Sequence, residues 1–175
     1  MVKLLLVIVI IGTLAYLLIK FSLYVYRPFF LSKTFMAIEE MYNRLQIAAD
    51  KDIDLDVEYL KKWQSGDGIV KAYSSEDEIM ERIKTTRAAK THEEEVYGKF
   101  LRLRERFLHN PDKLSESIVT YQRYLNIRLQ QRQNAGVAAN ALTLGAISFD
   151  EFVAAAKETK IALEENERKL DILLT

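Results

Sequence analysis

Apolar residues along this chain follow two regimes. From Leu4 to Ile19 no residue is charged, and the run resumes after Lys20 as far as Tyr26. Beyond it, apolar residues recur in steps of three and four, the spacing that gives a helix one apolar stripe. Phe35, Ile38, Tyr42, Leu45 and Ala49 predict a first amphipathic helix over 33–49. The acidic stretch Asp50-Lys51-Asp52-Ile53-Asp54-Leu55-Asp56 reads as a connector, and a short helix near 55–65 would end at Gly66-Asp67-Gly68.

A long helical region opens near Ser75, where Ser75 and Glu78 have capping-box spacing, and runs to about His109 before Asn110-Pro111. Its centre, Lys84 to Glu95, offers only Ala88 and Ala89 as apolar residues. Thr91 and Glu94 repeat the capping-box spacing, so a break or kink is expected there. Val96, Phe100, Leu103 and Phe107 then restore an apolar face. The next helix runs from about Asp112 to about Gly145, with Leu114, Ile118, Tyr121 and Leu125 as its buried stripe. Arg128 and Arg132 continue that seam in polar form, positioned to pair with carboxylates of a neighbouring helix or of a partner. The last helix opens on a box from Ser148 to Glu151. Phe152, Ala156, Thr159, Leu163, Asn166, Leu170 and Leu173 give it a coiled-coil-like seam, where Asn166 either fixes register or sits at the rim.

The first regime reads as a membrane anchor. Residues 4–26 as a helix would span roughly 34 Å at about 1.5 Å per residue, enough for a hydrocarbon core of about 30 Å. Lys20 can snorkel to the headgroups, and Tyr24, Tyr26, Arg27, Phe29 and Phe30 have interfacial chemistry. Pro28 marks an expected break. A cleaved signal peptide also begins with a base and an apolar run, but Phe21-Ser22-Leu23-Tyr24-Val25-Tyr26 offers no small-x-small cleavage site. No acid lies in the span, which favours an anchor over ion conduction. Lys20, Arg27 and Lys33 follow the span while Lys3 and the α-amine precede it. The positive-inside rule therefore leans, by one charge, towards a cytoplasmic domain on a single-pass protein of the cell (inner) membrane.

Composition narrows the functional classes. Lys3, Lys20 and Arg27 are three of the 25 bases, and none of the 25 acids precedes residue 28, so the rest carries 22 bases against 25 acids. Such a balance gives no general attraction to phosphate backbones, and nucleic acid is not an expected partner. The chain has no cysteine, 6 Gly and 2 Pro, which excludes disulfides and suits long helices. The acidic connector fails as an EF-hand: Leu55 takes the glycine position and Lys61 that of the bidentate glutamate. His92 precedes Glu93, Glu94 and Glu95, but neither His92 nor His109 has a glutamate three residues before it. That stretch reads as a solvated helix face. No cofactor, metal or small-molecule substrate is expected, and an enzyme is the least expected class.

The segment from Ala135 to Ile147 is small and apolar around nearly its whole circumference. It reads either as a buried helix crossing or as a partner surface, with Ala135, Gly136, Ala139, Leu142, Leu144 and Ile147 as the candidate interface. Gln130-Gln131-Arg132-Gln133-Asn134 through Gly145-Ala146-Ile147-Ser148 to Leu170-Asp171-Ile172-Leu173 resembles the helical hairpin of TolC-type outer-membrane efflux proteins. The shared features are an Ala-rich helix, a Gly-x-x-Ser turn and a following acidic-apolar helix. The resemblance covers about 45 of the 175 residues, without the barrel strands of that family, and implies a helical hairpin.

The expected fold is all-α: a single N-terminal transmembrane helix followed by an antiparallel helical bundle of coiled-coil-like hairpins. Residues 1–30 form the anchor, 31–73 a juxtamembrane helix and acidic connector, and 74–175 the bundle. The expected function is that of a non-catalytic, membrane-anchored structural or assembly subunit. It would meet membrane lipid through its first helix and either other complex subunits or a second copy through its bundle. The alternatives are a membrane-tethered regulator or adaptor for a soluble partner, and a helical component of an envelope export system.

Overall fold

The computed structural model describes the backbone of residues 2–66 and 75–175, and side chains for 12–18, 20–21, 31–66, 75–135 and 137–175. The described residues form four helices and no strand: α1 Val2–Ser65, α2 Glu76–Arg106, α3 Pro111–Thr143 and α4 Phe149–Leu174. They fall into two compact units, residues 1–40 and 41–175.

In the first unit the backbone is helical and continues through Pro28, although proline forfeits one hydrogen bond there. The expected break is therefore absent. Lys20 Nζ lies 5.4 Å from the centre of the Tyr16 ring. Among the described residues no helix is long and apolar enough to cross a membrane. The apolar run expected to do so lies largely outside the described side chains, as do Tyr24, Tyr26, Arg27, Phe29 and Phe30.

The second unit is a four-helix bundle built from two hairpins, one helix more than the sequence pattern predicts. The acidic stretch 50–56 is not a linker: it is helical, inside α1. Its acids fall on the same stripe as Leu45 and Ala49, with Asp52 and Asp56 at the next steps of three and four. Asp56 is fully buried and takes the Arg82 guanidinium at 3.1 Å. Lys90 binds Asp50, and Gln64 Nε2 donates to Glu76 at 2.6 Å. These pairs advance along α1 while retreating along α2, so the two run antiparallel. Ile79 and Ile83 of α2 close this hairpin's own core against Ile53, Val57, Leu60 and Trp63.

Helix α2 is unbroken across 84–95, where a kink was expected. Thr91 and Glu94 lie mid-helix, because Lys90, His92 and Glu93 supply lateral contacts that apolar residues would otherwise make. Its start is fixed by Ser75, whose side chain accepts from the Glu78 N–H at 3.2 Å. Glu76, Asp77 and Glu78 then face the positive end of the helix dipole.

Helix α3 begins with Asn110 capping Lys113 N–H and with Pro111 in the first turn, where a missing N–H costs nothing. It ends in a Schellman turn: Gly145 adopts φ 69°, its N–H reaches Leu142 O at 3.1 Å, and Ala146 N–H reaches Ala141 O at 2.8 Å. Only glycine holds that φ without strain. Ser148 then opens α4 with a complete capping box, both side chains bonding the other's backbone N–H. Helices α3 and α4 thus form an antiparallel hairpin. Helix α4 runs parallel to α2, with Lys99 on Asp171 at 2.7 Å and Arg106 on Leu174 O further along both.

The two hairpins share a core of Leu45, Val96, Phe100, Leu103, Phe107, Leu114, Ile118, Tyr121, Leu125, Leu163 and Leu170. Each such side chain contributes about 1.5–3 kcal/mol on burial. Aromatic rings stack through its centre. Tyr42 lies 4.0 Å from Tyr97, Phe100 lies 4.6 Å from Tyr121, and Tyr124 lies 6.0 Å from Tyr121, centroid to centroid.

The Ser148 cap makes stability pH-dependent. The Ser148 backbone N–H, then its hydroxyl, hold the Glu151 carboxyl below its ordinary value near 4.5. A depressed carboxyl stabilises the fold above its unfolded pKa and loses that contribution as pH falls through the folded one. Thermal unfolding from about pH 7 down to about pH 3 should show Glu151→Gln less stable than wild type at the upper end, with the gap closing towards the acid end.

Candidate interaction surface

Below the aromatic stack the bundle interior turns polar. Glu93 on α2 is 5% exposed, and its carboxylate accepts from the Tyr124 hydroxyl at 3.3 Å and from Arg128 Nε. Arg128 also donates to Gln131 at 2.6 Å, and Arg132 binds Asp52 across to α1. Both arginines thus pair with neighbouring helices rather than with an outside partner. Nearby, the Gln46 amide is buried with neither end hydrogen-bonded, beside a cavity of about 30 Å³. Burial, and then the Glu93 charge, raise the phenols of Tyr121 and Tyr124 far above their ordinary value.

The expectation of a solvated face at 92–95 holds for Glu94 and Glu95 but not for Glu93. The signal was present: Glu93 stands three before Val96 and seven before Phe100, on the buried stripe. His92 Nε2 lies 3.0 Å from Glu167 and its Nδ1 lies 4.0 Å from Glu95, both on the bundle exterior. Among the described residues no cluster of three or more His, Asp or Glu is placed to hold a metal ion. Asn166 is buried; its amide donates to Ala162 O at 2.7 Å, and its Oδ1 has no hydrogen-bond partner.

Beyond this layer the two hairpins part company. Between Leu125 on α3 and Leu163 on α4, no described residue is buried. The stripe that buries Leu114, Ile118, Tyr121 and Leu125 continues through Ala135, Ala139 and Leu142, which have no covering helix from α1 or α2. Instead, α3 and α4 alone line a groove of about 410 Å³, floored by Ala135, Ala138, Ile147, Phe152 and Ala156. Its polar edge is Gln130, Gln131, Asn134, Glu151 and Thr159.

Of the candidate interface, Ala135 and Ala139 are exposed, Leu142 and Ile147 half-buried, and Leu144 is 83% exposed at the turn. Gly136 lies outside the described side chains. The structure also adds Val137 and Phe149, both two-thirds exposed, to the same tip. None of the described side chains of this segment is fully buried, and Ala138, Ala141, Leu142 and Ile147 are half-buried. A folded monomer rarely leaves so continuous an apolar surface without a partner.

Geometry thus defines an all-helical bundle of two hairpins, one of which ends in an apolar tip where no described side chain is fully buried. No family model, no curated protein and no solved structure matches this chain.

The polar layer predicts a contrast between two tyrosines. Tyr121→Phe removes a buried hydroxyl with no partner and should leave urea stability within about 0.5 kcal/mol of wild type, or raise it. Tyr124→Phe removes a donor to a buried carboxylate and should cost about 1.5–3 kcal/mol. Arg128→Leu, which strands Glu93, should cost about 3–5 kcal/mol, and Glu93→Leu in the same chain should recover much of it.

Proposed function

We propose that the protein is a non-catalytic structural or assembly subunit, anchored by residues 4–26 in the cell (inner) membrane, that joins a larger membrane complex through the α3–α4 tip. The observation that carries this reading is the tip itself: a hairpin extending past the last buried residues, with an apolar groove and Leu144, Val137 and Phe149 at its surface. Apolar surface of this kind on a folded domain is the physical signature of an interface.

The anchor is supported by the uncharged run in the sequence and by Leu14, Leu17, Leu18 and Phe21, each more than half exposed along α1. Water would penalise such a row of side chains, whereas lipid tails accept it. A phosphate-cradling glycine loop and a Gly-x-Ser-x-Gly nucleophile turn are both missing from the sequence, and Glu93, the most buried acid of α2, is already engaged by Tyr124 and Arg128.

The test has two arms. Membranes washed in alkaline carbonate should retain the chain, and removal of residues 1–30 should release it. Gentle detergent extraction at native expression, followed by sizing and mass spectrometry, should give a discrete particle with other membrane proteins in fixed ratio. A chain recovered without companions, in detergent that preserves known complexes, overturns the subunit reading in favour of a tethered adaptor.

A further inference from the structure

We infer that the end of the bundle bearing the α2–α3 turn docks on anionic lipid headgroups, with Arg102, Arg106 and Lys113 taking the phosphates and Leu108 the acyl boundary. This deepens the proposed function and rests on its membrane anchor.

Connectivity places this end. The chain enters the bundle at Met41, and Tyr42 at that entry stacks on Tyr97 at 4.0 Å. From there α1 advances through Asp50 to Asp56 while the partners on α2 retreat from Lys90 to Arg82. Followed the other way, α2 runs from Tyr97 to Arg106, so its turn into α3 lies at the entry end. Helix α4 finishes there too, with Arg106 on Leu174 O. Met41 stands 15 residues after Tyr26, the last residue of the apolar run. Even fully extended those residues reach roughly 50 Å, so an anchored chain keeps its entry end within that distance of the headgroups.

Charge is distributed to match. From Tyr97 to Lys113 there are five bases and two acids, a net +3. From Asp50 to Glu95, towards the far end, there are eight bases and thirteen acids, a net −5. Lys99 is taken by Asp171 at 2.7 Å. Arg106, by contrast, bonds a neutral carbonyl and keeps its charge, and Arg102 and Lys113 are exposed. A negative membrane surface therefore attracts one end of the bundle and repels the other, which orients it. Leu108, 60% exposed in the turn, supplies the apolar element that interfacial binding adds to charge. An acidic protein would answer the bases as well, but it must arrive from solution, whereas the anchor holds headgroups at a high effective concentration.

The chain has no cysteine, so His109→Cys and Lys61→Cys each give one exposed attachment point, beside the turn and towards the far end. The full chain, carrying a polarity-sensitive fluorophore at one of them, is placed in nanodiscs of phosphatidylcholine alone or with about one-third phosphatidylglycerol. The label at 109 should shift to the blue and be quenched by doxyl lipid in the anionic discs only, and about 0.5 M salt should reverse both effects. The label at 61 should report water in every disc. Arg102→Gln with Lys113→Gln should lower the ratio of docked to free bundle about tenfold or more. Leu108→Ser, which leaves charge untouched, should weaken the doxyl quenching. If circular dichroism shows a lowered thermal midpoint for these variants, the salt and lipid dependence of the wild-type surface decides.

A label at 109 that stays in water in anionic discs overturns the inference and leaves the anchor standing; an acidic protein as the partner of this end would give that result. Equal responses at 109 and 61 also overturn it, because neither end is then selected. If the chain fails to float with phosphatidylcholine vesicles, the anchor reading falls. Flotation with phosphatidylglycerol vesicles that Arg102→Gln and Lys113→Gln abolish would then keep this end as a lipid surface, and its absence would remove both.

Discussion

The buried carboxylate of Glu93 organises this bundle. An ionised group in a helical interior is tolerable only if its oxygens are satisfied, and here a phenol from α3 and a guanidinium from the next turn of α3 supply the donors. That requirement fixes how far α2 can slide along α3. The rings of Tyr42, Tyr97, Tyr121 and Phe100 pack against one another in that register, 4.0 to 6.0 Å apart. Hydrophobic burial supplies most of the free energy, but apolar seams alone permit slips by a turn. The Glu93–Tyr124–Arg128 cluster, with Asp52–Arg132 beside it, distinguishes the correct pairing from its neighbours. The same layer marks where common packing of the two hairpins ends.

Helix positions were largely legible because local signals are strong in this chain. Ser75, Asn110-Pro111 and Gly145 with Ser148 each combine a cap with a reversal of periodicity, and each sits at a helix boundary of α2, α3 or α4. The α3 and α4 stripes were readable for the same reason. Apolar spacing misled where the buried stripe is polar. Asp52, Asp56 and Glu93 occupy seam positions but resemble solvent-facing acids to any hydropathy rule, so α1 was divided at 50–56 and α2 was expected to kink near Thr91. Their placement on the seam is matched by Arg82, Arg128 and Arg132, which are 26 to 80 residues away, and no local pattern carries that information.

The candidate surface was half legible. An unbroken small and apolar stretch from Ala135 to Ile147 signals surplus apolar surface, but it cannot reveal whether another helix of the same chain covers it. That depends on where α2 diverges from α3, which the polar layer sets. Val137 and Phe149 lie off the expected stripe, and the structure leaves both about two-thirds exposed, Val137 within the last turns of α3 and Phe149 at the start of α4.

The capped, glycine-closed end of the α3–α4 hairpin is locally well determined yet has no buried side chain to hold it down. Its backbone hydrogen bonds therefore resist fraying through their caps alone, while those around Glu93 open only with the whole bundle. One helix pair thus spans two stability regimes. Amide protons between 134 and 160 should therefore exchange through local openings, and those near Leu125 and Leu163 through global unfolding. Anything that covers the tip would raise the first set towards the second, so protection at one end of α3 reads out the occupancy of a surface that leaves the other end unchanged.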